Sequence, residues 1–96
     1  MQVVAGCSAI AACVEERKPQ AALMGCFEET RALCEQAAGR AGSGELNALL
    51  VNVSTALRTW QEVWPRLGTQ RDFRVAVARE ARLWAKRLAG FVQRES

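Results

Sequence analysis

Histidine and tyrosine are missing from this chain, only two prolines occur, and no apolar run approaches the ~18 residues that span a membrane. Each absence removes a class of function. Without histidine the commonest general base is gone, which leaves carboxylates, lysine and cysteine for proton transfer, and zinc sites of mixed cysteine and histidine ligation are excluded. The cysteines Cys7, Cys13, Cys26 and Cys34 contain no Cys-x-x-Cys pair, and spacings of six, thirteen and eight fit no common metal-ligand pattern. Glu15-Glu16 and Glu28-Glu29 are adjacent in sequence, so on a helix the members of each pair point ~100° apart instead of converging on a substrate. The expectation is therefore a chain with no catalytic residues, no metal and no cofactor.

What the chain has in quantity is alanine, seventeen copies in 96 residues, and alanine is the strongest helix former. A chain of this length makes one domain, residues 1 to 96, around one core. Its apolar residues step by three and four. The longest series is Leu46, Leu50, Val53, Leu57, Trp60, Trp64 and Leu67. Shorter seams are Val3, Cys7, Ile10 and Val14 in residues 3 to 17, and Leu23, Phe27, Thr30, Cys34 and Ala37 in residues 19 to 38. A last seam, Phe73, Val77, Ala81, Trp84, Leu88 and Phe91, belongs to a helix reaching about Gln93.

At ~100° per residue, the interval from Val14 to Leu23 sets the first two seams on opposite faces of a straight helix, so a break is needed, and Pro19 supplies it. Glu15-Glu16-Arg17-Lys18 offers no Gly or Asn for a tight reversal, which leaves a sharply kinked continuous helix as the alternative. Gly39-Arg40-Ala41-Gly42-Ser43-Gly44 reads as a flexible linker, since it lacks the Gly-Lys-Ser/Thr ending of a phosphate-cradling loop. Ser43 is placed to cap the third helix, which is expected to end at Trp64, before Pro65. Gly68 clears the turn, and Thr69 caps the fourth helix with Asp72 in its first turn. The predicted architecture is all-α: a small antiparallel four-helix bundle, or three helices with the first kinked at Pro19.

The net charge of +3 is unevenly placed, because residues 1 to 48 carry four basic and six acidic side chains and residues 49 to 96 carry nine and four. Attraction to an anionic partner therefore belongs to the C-terminal half. Arg71, Arg79, Arg82 and Lys86 fall within an ~80° arc of the last helix, with Arg74 and Arg87 to either side. No helix-turn-helix, zinc-finger or RNA-binding signature accompanies them, and no aromatic side chain interleaves for base stacking. The tryptophans are a large aromatic allotment for so small a bundle and are candidate interface anchors. The expected function is a non-enzymatic protein-protein interaction module: an adaptor, an assembly subunit or a helical chaperone. It would meet a partner protein with an acidic surface, or a second copy, through Arg71, Arg74, Arg79, Arg82, Lys86, Trp60 and Trp64. The alternative is sequence-independent nucleic-acid binding by the same basic face, and no membrane partner is expected.

In a helical hairpin turning at Pro19, Cys7 stands opposite Cys34 and Cys13 opposite Cys26. The outline resembles the disulfide-bonded helical hairpins of the mitochondrial intermembrane space, but those use equal cysteine spacings on both helices and this chain does not. The favoured reading is free thiols, with Cys7 and Cys34 as small core residues. Val4-Ala5-Gly6-Cys7 resembles a bacterial lipoprotein cleavage box, yet the charged and apolar regions required upstream are missing. The chain thus reads as a soluble, intracellular protein of a reducing, cytoplasmic compartment.

Overall fold

A computed structural model of the chain describes residues 2–41 and 44–95, with side chains as far as Phe91. Four helices account for the described residues, α1 (Gln2–Glu15), α2 (Gln20–Ala41), α3 (Glu45–Leu67) and α4 (Arg71–Glu95), with no strand among them. They form an antiparallel bundle 38 Å long and 20 by 19 Å across. At ~1.5 Å per residue α4 runs its full length. α2 lies along α3 and α1 along α4, while contacts of α1 with α2 and of α3 with α4 close the ring in chain order. None of the helices is long and apolar enough to cross a membrane, over the residues described.

The seams face inward. Val3, Cys7, Ile10 and Val14 of α1 and Leu23, Phe27, Thr30 and Cys34 of α2 are buried, as are Leu50, Val53, Leu57 and Trp64 of α3 and Val77, Ala81, Trp84 and Leu88 of α4. Gly6 lets α1 and α2 come together, because a Cβ at that position would lie 2.5 Å from Thr30 Oγ1. The backbones of α3 and α4 approach least, and aromatic side chains fill the space between them. Trp60 stacks on Trp84 with ring centroids 4.9 Å apart and planes at 24°. Trp64 meets Phe27 edge-on at 5.7 Å and Phe73 at 5.4 Å.

The break at Pro19 is as the sequence predicts, and the helix ends differ from expectation in three further places. First, α1 and α2 are separate helices, not the alternative kinked one, and the reversal is made without glycine. Arg17 takes the left-handed conformation, φ 55°. The Lys18 N–H then donates to the Cys13 carbonyl at 3.1 Å and the Arg17 N–H to the Val14 carbonyl at 3.3 Å. This pair of bonds is the glycine-type helix stop, adopted here by an arginine at a strain of roughly 1–2 kcal/mol. Pro19 starts α2 by accepting from the Ala22 and Leu23 N–H groups.

Second, α2 continues through Gly39 and Arg40 to Ala41, residues expected in the linker. A helical glycine costs only about 1 kcal/mol, and Ala37, Ala38 and Ala41 pack against the core, which offsets it. Gly44 enters α3 with φ 118°, a value that needs glycine; Ser43, the expected cap, lies outside the described residues.

Third, α3 does not stop at Trp64. Pro65 forfeits its own N–H bond but holds a helical φ, and the Gly68 N–H closes the last turn on the Trp64 carbonyl at 2.7 Å. Fourth, the cap of α4 is Gln70 in place of Thr69. The Gln70 N–H is still held by Leu67, and its carbonyl accepts the first helical bond, from the Arg74 N–H at 3.1 Å.

Leu57 lies mid-seam with none of its surface exposed. Replacing it by Ala should lower stability by about 2–5 kcal/mol in urea unfolding; a loss under about 0.5 kcal/mol would mean that the α3 ladder is not the core.

Candidate partner-binding face

The outward side of α4 is set by its inward one. With Val77, Ala81, Trp84 and Leu88 buried, Arg71, Arg79, Arg82, Lys86 and Arg87 are left exposed. Arg82 is paired with Glu15 of α1, whereas Arg71, Arg79, Lys86 and Arg87 have no ion pair among the described residues. Elsewhere Arg31 and Arg58 share one carboxylate, Glu35, at 3.2 and 3.3 Å. Four of the cations without an ion pair among the described residues, Arg71, Arg79, Lys86 and Arg87, lie on α4.

Two apolar side chains stand in this surface. Val75 is 47% exposed and Leu83 39%. At ~100° per residue Val75 lies within the arc of Arg71, Arg82, Lys86 and Arg79, and Leu83 about 40° beyond it. Sequence reasoning passed over both, although the signal was there: Val75 follows Arg71 by one helical turn and is out of step with the Phe73–Val77 seam.

Arg74, Trp60 and Trp64, expected on the binding face, hold the bundle together. The Arg74 guanidinium donates to the carbonyls of Gly68 and Val14, both at 2.9 Å, and lies 5.4 Å over the Trp64 ring. One side chain so ties the end of α1, the α3–α4 turn and α4 to a buried indole. Trp64 is buried and Trp60 half-buried in the aromatic layer, so neither presents its ring on the outer face of α4.

At the same end of the bundle an open groove of about 460 Å³ runs between the α1–α2 turn and the first turns of α4. Its cations are Arg17 and Lys18 on one wall and Arg71 and Arg74 on the other, over Val14, Val75 and Ala78. Glu15 also lines it, already engaged by Arg82. Arg17 and Lys18 join the site only through the turn that folds them beside α4, and nothing local to their sequence marks them for it.

The cysteines are the remaining reactive groups, and all four are free. Cys7 and Cys34 are wholly buried, which pushes their thiols up to about 11 and about 12; for Cys34 the neighbouring Cys7 and Glu35 add to the effect. Among the described residues no three His, Cys, Asp or Glu side chains are grouped so as to hold a metal ion.

No family model matches the chain, and neither a curated protein nor a solved structure is similar to it. The side chains themselves carry the functional reading.

Two outcomes follow from this geometry. Arg74→Lys keeps the charge but cannot make both carbonyl bonds and the planar contact with Trp64. It should cost about 1.5–3 kcal/mol in urea unfolding and shift tryptophan emission; unchanged stability would show that the clamp is dispensable. For Cys7 and Cys34 the folded values lie above the unfolded thiol's ~8.5. Below that pH their contribution is fully present; above it the unfolded chain releases protons that the native thiols keep. Stability should therefore fall as pH rises toward 11, by at most ~1.4 kcal/mol per pH unit for each thiol. Cys34→Ala should make that alkaline slope shallower, and an equal slope would refute the assignment.

Proposed function

We propose that the protein is a non-enzymatic interaction module that holds an acidic segment of a partner protein along the outer face of α4, with the groove beside the α1–α2 turn as its anchor. The observation that carries this reading is the exposed Val75 set among cations that have no ion pair among the described residues. Carboxylates of the partner would face Arg71, Arg79 and Lys86 while an apolar side chain covers Val75 and Ala78. Burying what is left exposed of a valine adds on the order of 1 kcal/mol, which a phosphate backbone has no group to supply. Charge on this scale sets association rate and orientation more than total affinity, so the apolar contact is what gives the complex its lifetime. We place such a module in a reducing, cytoplasmic setting, where cysteines stay as thiols.

The test uses three probes: a synthetic peptide alternating Glu with Leu, the same peptide with Ser for Leu, and a random duplex oligonucleotide, each titrated at low and physiological salt. The Glu-Leu peptide should bind best. Val75→Ser should weaken it while leaving helicity intact, and Arg71→Glu should slow its association. Micromolar or tighter binding of the duplex at physiological salt, lost when Arg71, Arg79, Arg82 and Lys86 are together replaced by Ala, would reject this reading in favour of sequence-independent nucleic-acid binding. Self-association of the chain that buries Val75 and excludes the peptide would reject it in favour of a homo-oligomer.

A further inference from the structure

We propose that Cys13 and Cys26 form a reversible modification site, a thiol pair that a hydroperoxide converts into a disulfide joining α1 to α2. Their sulfurs are 3.7 Å apart, in contact across the hairpin. Cys13 lies in the last turn of α1 and Cys26 in the second turn of α2, so the hydrogen-bonded reversal at Arg17 and Lys18 fixes their relative height. Closing from contact to the ~2.05 Å of a bond is a shift that side-chain rotation can supply without moving either helix far.

Access separates this pair from the other one. Cys26 is half-buried and Cys13 is 9% exposed, whereas Cys7 and Cys34 are both at 0%. Burial also holds the Cys7 and Cys34 thiols protonated, and the thiolate is the form that reacts. Around Cys26 burial raises the thiol, Cys13 and Glu29 add to this, and Lys18 opposes it.

The step balances with one peroxide. The Cys26 sulfur, as thiolate, attacks a peroxide oxygen; the O–O bond breaks and the departing hydroxide takes a proton to leave as water, giving a sulfenic acid. The Cys13 sulfur then attacks the Cys26 sulfur, the S–O bond breaks and a second water departs. Two thiols lose two electrons and two protons in all, and the hydroperoxide is reduced to water or to water and an alcohol. A dithiol reductant reverses the bond.

The full chain, purified in its reduced form, would be exposed to hydrogen peroxide under native conditions, alkylated and mapped by mass spectrometry. The expected result is a fall from four free thiols to two, loss of two hydrogens from the intact mass, and a single linked peptide pair containing Cys13 and Cys26, restored by dithiothreitol. The oxidised form should melt at a higher temperature than the reduced one, since the crosslink restrains the unfolded chain. Cys26→Ser, at a half-buried position, should keep its helicity and lose the intramolecular link; should it fail to fold, mapping of the unaltered chain decides alone. A Cys7–Cys34 link, a dimer joined through Cys26, or sulfinic acid at Cys26 with Cys13 still a free thiol would each overturn the proposal.

Discussion

The bundle turns on the burial of one tryptophan. Trp64 touches Phe27 of α2 and Phe73 of α4, carries the Arg74 guanidinium over its ring, and stands so close to Gly68 that a Cβ there would lie 2.5 Å from its Nε1. Its backbone carbonyl accepts the bond that ends α3. A large flat ring is the economical way to join helices whose backbones stay apart, because aromatic contacts at 5 to 6 Å transmit packing where aliphatic side chains would leave a void. Pro65, directly after Trp64, restricts the backbone at that point, and Gly68 leaves the indole room. Remove the ring and α2, α3, α4 and the Arg74 clamp lose their common contact.

Arg74 shows why a list of cations is a poor map of a binding face. On a wheel it is one more arginine beside Arg71, Arg79, Arg82 and Lys86. In the fold its donors are taken by two carbonyls from different segments, which a flexible ammonium could not satisfy together. Arg82 is likewise partly used by Glu15. The charge left for a partner is therefore smaller than the sequence total and more sharply placed, at Arg71, Arg79 and Lys86, with Arg17 and Lys18 brought in from a different part of the chain.

The seams were legible in sequence because three-and-four spacing is imposed by burial itself: each of Leu50, Val53, Leu57, Val77 and Leu88 is inside for the reason its spacing announced. Helix ends were less legible. Arg17 adopts a conformation that its residue type disfavours, and only the packing of α1 on α2 makes that strain worthwhile. Gly39 and Pro65 are helix breakers in isolation, yet each sits where neighbouring contacts exceed its local penalty. The candidate site was half legible. The arc of cations could be drawn on a wheel, but the groove needs the α1–α2 turn to lie beside α4, a tertiary fact with no local signature. The placement of Cys13 opposite Cys26 was within reach, since hairpin partners follow from the position of the turn.

That turn brings the separate features together. The segment from Cys13 to Cys26 contains Arg17 and Lys18, one cationic wall of the groove, and its first helix end, at Val14, is held by Arg74 from the opposite wall. The left-handed Arg17 is the strained point of the segment, and two backbone bonds, from the Arg17 N–H to the Val14 carbonyl and from the Lys18 N–H to the Cys13 carbonyl, are what keep the turn closed. A covalent link between Cys13 and Cys26 would close the same loop by a second route. It would act on the wall that carries Arg17 and Lys18 and leave the opposite wall, fixed by α4 and the Trp64 cluster, where it is. The chemistry of the thiol pair and the shape of the groove are thus two properties of a single reversal of the chain.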